Sequence, residues 1–263
     1  MGRGDPGSLR AVALPTEHGG WGFTLEPVLL GLAVAPSRAG ASLAAAACGV
    51  FLARRPLRLL VTDLRLGRRL PRTATAGGAL AVYLAVVAGG LAAAAGLASE
   101  PFWWPLAAAA PFAGWQVRLD LARRGREFPA EAAGALAMGA AAPAIALAAG
   151  WDAGPAFGLW AVLAGRALPS ILLVRAQIRR TRGDPVGYRA THVSHALALV
   201  GLGAVVAAGA APRSVLAALA ALWAWAGVSL SRPPMPARRL GWTQALAGLL
   251  VVALTAAGHH LGW

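Results

Sequence analysis

The chain has 263 residues, 58% of them hydrophobic and 13% charged, with a formal net charge of +14. So much apolar surface exceeds what one soluble core needs, and at about 20 residues per spanning helix this length holds helices and short connections but no soluble catalytic domain. The positive charge would point to nucleic acid in a soluble protein, but all 24 basic residues are arginines, most of them gathered between apolar stretches, where cytoplasmic loops carry them; no nucleic-acid partner is expected.

At the N-terminus Arg3 and Arg10 precede an apolar run from Ala11 to Leu14 that is too short for a signal-peptide core and is followed by Glu17 and His18, so no cleavage is expected. The hydropathy pattern then predicts spans at 19–36, 39–53, 74–98, 101–117, 131–150, 155–174, 191–210, 213–230 and 240–258. The second is short before Arg54, Arg55 and Pro56, although Leu57, Leu59, Leu60 and Val61 allow it to continue as a kinked, interfacial helix. The lone Cys48 lies in an alanine-rich span and reads as a small packing residue. The expectation is an all-α polytopic transmembrane helical bundle of about nine spans, forming one integral membrane domain over 1–263 with a short cytoplasmic segment 1–18.

The loops test that count. Seven arginines fall in 54–72, four in 118–130, five in 175–189 and three in 231–239, and these are alternate loops. The intervening turns carry only Arg38, Glu100, Asp152 and Arg213. By the positive-inside rule the N-terminus is expected to be cytoplasmic and the C-terminus, with His259 and His260, to lie on the far side of the membrane.

An ionisable group inside a membrane helix costs about 2.5 to 3.5 kcal/mol on insertion scales, so each needs a partner or a role. Glu26 and Arg166 stand out. Glu26 is seven residues past Gly19 in a helix leaving the cytoplasm, and Arg166 is nine before Arg175 in one returning to it. At 1.5 Å per residue both lie roughly 10 to 14 Å from the cytoplasmic boundary, so they can face one another. Pro27 and Pro169 free the carbonyls of Phe23 and Gly165 beside them, which suits a polar cavity. An ion pair that only fixes helix register satisfies the same pattern.

A second set collects at cytoplasmic helix ends: Glu17, His18 and Trp21 before the first span, Glu131 at the fifth, His192 and His195 at the seventh. Helix capping explains them as readily as binding does. Two histidines three apart make half a metal site, or a proton relay. Arg58, Arg65 and Arg72 recur every seven residues, and Arg175, Arg179 and Arg182 at offsets of four and seven, so each set can line one helix face. Such faces attract anionic headgroups in general, or hold a phosphate or diphosphate in particular. The chain has no lysine and hence no Walker motif, and no cofactor or metal site is expected.

Pro15, Thr16, Glu17, His18, Gly19, Gly20 and Trp21, followed by Glu26 and Pro27, resemble the opening motif of the YwiC-like family of bacterial membrane proteins. Arg55, Pro56, Leu57, Asp63, Arg65, Pro71, Arg72, Glu131, Arg166, Pro169, Ser170, Arg175, Arg179 and Arg180 extend the resemblance at scattered positions. The architecture is more faintly similar to the UbiA-type intramembrane prenyltransferases, which hold magnesium and a prenyl diphosphate with aspartate-rich motifs in the loops after helices two and six. Here those loops offer Asp63 and Asp184 among arginines, too few carboxylates for that magnesium cage, so no catalytic residue is carried over. Arginine can bind an anionic lipid without metal. The expected function is a membrane protein whose cytoplasm-facing polar cavity binds an anionic amphipathic or isoprenoid-like lipid, such as one bearing a diphosphate, through Glu17, His18, Glu26, Arg58, Asp63, Arg65, Glu131, Arg166, Arg175, Arg179 and His192. Whether it is an enzyme is left open, as are a proton-coupled transporter and a non-catalytic accessory subunit.

Overall fold

A computed structural model describes residues 12–14, 18–67 and 70–263, with backbone alone at 18–20. Every regular element among the described residues is helical: α1 (His18–Val34), α2 (Arg38–Arg65), α3 (Pro71–Leu97), α4 (Trp103–Leu121), α5 (Phe128–Gly139), α6 (Ala141–Ala148), α7 (Ala153–Thr181), α8 (Arg189–Ala207), α9 (Ser214–Ser231) and α10 (Ala237–Leu261). The chain is a polytopic helical bundle of the expected class. α5 and α6 are one rod, Phe128–Ala148, broken at Ala140 because Pro143 has no N–H for the Gly139 carbonyl. The described segments therefore make nine rods, one per expected span.

Six rods are long and apolar enough to cross a bilayer: Pro71–Leu97, Phe128–Ala148, Ala153–Thr181, Arg189–Ala207, Ser214–Ser231 and Ala237–Leu261. In α1 the apolar part, Trp21–Val34, is shorter, α2 carries arginines through its second half, and α4 is interrupted by Gln116, Arg118 and Asp120. Pro56 does not end α2, which runs 28 residues to Arg65 with the proline inside it. The one hydrogen bond lost to Leu52 is offset by antiparallel packing on α3 along most of the helix.

Side-chain and backbone bonds sort the loops onto two ends. Arg54 reaches from α2 to Asp120 at the end of α4. Arg175 of α7 donates to the Arg126 carbonyl in the α4–α5 loop, and Arg180 to the Arg232 carbonyl after α9. The four arginine-rich connections thus share one end. At the opposite end Ser99 N–H donates to the Ala148 carbonyl and Arg213 N–H to the Trp263 carbonyl, while the Trp151 and His259 rings meet edge-on at 5.0 Å.

α1 lies at the centre, packed on α2, α5, α6, α7 and α10. Small residues allow these close approaches. Ile145 of α6 fills a cradle in which a Cβ on Gly31 would come within 2.9 Å of it, and one on Gly40 within 2.8 Å. Leu30, Leu43, Phe102, Leu159 and Val252 complete the core around it.

Candidate functional site

The central polar node forms where α1, α7 and α10 meet. Arg166 Nη2 lies 3.0 Å from Glu26 Oε1, and the side chains are 3% and 8% exposed. The two intramembrane charges thus pair, as matched depth and the scarcity of other partners required. Arg166 Nη2 also donates to the backbone carbonyl of Gln244 in α10. Glu26 packs against two glycines: a Cβ on Gly22, one turn earlier, would stand 3.4 Å from Oε1, and one on Gly248 of α10 would overlap the carboxylate itself. Two polar side-chain atoms of these residues are left over. Arg166 Nε is a buried donor and Gln244 Oε1 a buried acceptor, and neither has a hydrogen-bond partner.

α7 carries the node toward the arginine-rich end. Ser170 is buried one turn on, and the amide of buried Gln177 donates to the carbonyl and hydroxyl oxygens of Ser229 in α9, at 2.9 and 2.7 Å. Between Ser170 and Gln177, Arg175 meets Glu131 Oε2 at 3.1 Å, with both side chains more than a third exposed. Glu131 therefore belongs to Arg175 at the rim, and Glu26 to Arg166 below. Arg179 lies 3.8 Å from Asp184 and donates to the Pro185 carbonyl, so it closes its own loop. In the α4–α5 loop Arg124 grips Glu127 through Nε and Nη2, both at 2.7 Å, which holds the Glu127 carboxyl below its ordinary range.

Asp63 is fully buried and takes Arg72 in a bidentate grip, Nη2 to Oδ1 at 2.7 Å and Nε to Oδ2 at 3.1 Å, with the Thr73 hydroxyl at 2.9 Å. This corrects the seven-residue arginine face: Arg58 and Arg65 lie on α2, but Arg72 stands beyond the turn and folds back onto Asp63. Arginine and threonine occupy the carboxylate as a clasp between α2 and α3. Charge-assisted hydrogen bonds are worth about 1.5 to 3 kcal/mol, so Asp63→Asn is expected to lower stability in detergent by an amount of that order. Titration calorimetry is expected to give the same magnesium response before and after the substitution. Tight magnesium binding by the wild type, lost in Asp63→Asn, would assign the aspartate to a metal instead.

Of the remaining sequence-derived residues, Glu17 lies outside the described residues, and His18 opens α1 with only its backbone described. His192 accepts a hydrogen bond at Nδ1 from Trp223 Nε1, 3.1 Å away on α9. His195 is buried, with Nδ1 2.8 Å from the Thr191 carbonyl one turn back. Arg58 is exposed. Trp21 meets Phe51 of α2 edge-on at 5.0 Å.

Sequence reasoning missed the α10 contribution, because an amide in an amphipathic turn and a glycine in a glycine-rich helix give no signal alone. It also missed the link from Arg54 to Asp120, 2.8 Å long and part-buried. With its amide oriented by the network, Gln116 adds an acceptor to Arg54 at 2.9 and 3.1 Å. An Arg–Asp pair 66 residues apart is visible only once α2 and α4 meet.

No curated protein and no solved structure matches this chain. The profile of the family described as YwiC-like protein matches residues 14–146, which is half the chain and takes in α1 through most of α6, with Glu26, Asp63 and Glu131. With the helical membrane bundle that these residues build, the match places the chain in the YwiC-like protein family.

Proposed function

We propose that this protein binds an anionic amphipathic substrate, of isoprenoid-like or related lipid type, from the cytoplasmic side of a bacterial inner membrane, with its polar head directed to the Glu26–Arg166–Gln244 node. The observation that carries the reading is the pair of orphaned atoms there. A buried donor and a buried acceptor without partners each cost about 1 to 3 kcal/mol; a phosphate oxygen can accept from the first and a hydroxyl can donate to the second. Arg175 and Glu131 stand at the rim, on the arginine-rich end that the positive-inside rule makes cytoplasmic. In this orientation tags on the N- and C-termini report opposite sides.

The probe is farnesyl phosphate added to the detergent-solubilised protein, with farnesol as the uncharged control. Ligand at a hundredfold excess over Kd stabilises by about 2.7 kcal/mol, so the melting temperature is expected to rise with the phosphate and not with the alcohol. Gln244→Ala removes the orphaned Oε1 but keeps the backbone carbonyl that Arg166 uses, so it should fold and lose part of the rise. Equal shifts with both compounds, or an unchanged shift in Gln244→Ala, would overturn the proposal.

A second reading, proton-coupled transport, is favoured by His259, whose Nε2 is buried without a partner at the opposite end of the helix that carries Gln244. Substrate flux into proteoliposomes driven by a pH gradient, and abolished in His259→Gln, would select it.

A further inference from the structure

α2 is about 40 Å long at 1.5 Å per residue, longer than the roughly 30 Å hydrocarbon layer, so Arg65 at its end stands at headgroup level. Arg118 lies near the end of α4, on the same arginine-rich side. Between them runs an open groove of about 460 Å³, with Arg65 and Arg118 at its edge and Gly114, Val117, Leu121 and Ala122 along α4 as its apolar wall. α2 and α4 touch only lightly, so the groove stays open.

These two arginines differ from those nearby. Arg54, Arg72, Arg124, Arg175 and Arg179 each hold a carboxylate. Among the described residues neither Arg65 nor Arg118 has one, and the acid nearest Arg118 in sequence, Asp120, is taken by Arg54 at 2.8 Å. Arg118 instead lies over the Trp115 ring, Cζ 5.5 Å from the centroid, and Trp115 is 48% exposed. Two uncompensated guanidinium groups above an apolar wall, with an indole at the boundary, match an anionic headgroup joined to an acyl chain.

We infer that the α2–α4 groove is a binding site for an anionic phospholipid of the surrounding bilayer, its phosphate held between Arg65 and Arg118 and one acyl chain laid along Gly114, Val117 and Leu121. This site is separate from the Glu26–Arg166 node and stands whether or not that node binds substrate.

Trp115 supplies the test. The full-length protein is reconstituted into phosphatidylcholine vesicles containing a minority of phosphatidylglycerol, with bromine on the acyl chains of one lipid or the other. The emission lost in Trp115→Phe defines the Trp115 signal. Brominated phosphatidylglycerol is expected to quench that signal severalfold more than brominated phosphatidylcholine at equal bromine content. The preference should vanish in Arg65→Gln/Arg118→Gln and persist in Arg238→Gln/Arg239→Gln, which removes equal charge at the start of α10. Equal quenching by the two lipids would overturn the inference, as would a preference that survives in Arg65→Gln/Arg118→Gln. So would loss of the preference on adding inorganic phosphate, since the groove would then be a site for the free anion. Both arginines are exposed, so the double variant should fold, and its melting temperature checks this; if it does not fold, the wild-type comparison of the two lipids decides alone.

Discussion

Glu26→Gln and Arg166→Gln are each expected to destabilise the protein by about 3 to 5 kcal/mol, the cost of leaving one buried charge without its partner. The pair is 3.0 Å apart and almost wholly enclosed, so neither partner can turn to water once the other is gone. In the double variant both charges are removed and part of the loss should be recovered. Recovery will be incomplete, because Arg166 also donates to the Gln244 carbonyl, which ties α7 to α10 independently of Glu26. The measurement is thermal unfolding in detergent for the four proteins of the cycle. Contacting residues show coupling of about 0.5 to 3 kcal/mol; single effects that simply add would mean that the charges do not interact.

That pair was legible in the sequence for a physical reason. A charge in hydrocarbon is costly enough that few remain, and two of opposite sign at equal depth have little choice of partner. The nine rods were legible for a related reason: hydropathy marks the spans, and arginine accumulation on alternate loops checks their number. Signals that depend on one atom fared worse. Around Pro56 the sequence allowed either a short second span or its continuation through Leu57, Leu59, Leu60 and Val61; one missing N–H is a small loss to a helix packed along its length on α3, and α2 continues to Arg65. Pro143 sits inside an alanine run that hides it, and there the helix does break.

The surface arginines were legible as a population but not as individuals. Seven-residue spacing grouped Arg58, Arg65 and Arg72, yet spacing holds meaning only within one helix. The turn after Arg65 sends Arg72 back to Asp63, whereas Arg65 is left at the edge of the α2–α4 groove. The distinction between a clasp and a free guanidinium is set by which helices become neighbours, and that is a tertiary fact. Glu131 illustrates the same limit. Its pairing with Arg175 rests on α5 and α7 meeting at the arginine-rich rim, and nothing local in either helix specifies it.

Gly248→Ala is expected to destabilise the protein although the same substitution in an open helix position has the opposite sign. In a helix interior alanine is favoured over glycine by roughly 0.5 to 1 kcal/mol. At position 248 a Cβ would occupy the space of the Glu26 carboxylate. A free glutamate would swing aside, but this one is held by Arg166, which is in turn bonded to the backbone of α10 one turn before Gly248. Relief therefore requires α10 to move off α1, which strains the Arg166–Gln244 bond as well. Overpacking at a buried contact costs about 1 to 3 kcal/mol, enough to overcome the gain in helix propensity. Gly241→Ala in the same helix is the control, since a Cβ there meets nothing within 4 Å, and it should leave the melting temperature unchanged or raise it. In a Glu26→Ala background the colliding atoms are absent, so Gly248→Ala should cost much less than in the wild type. If it costs the same in both, the glycine serves α10 alone and does not make room for the ion pair.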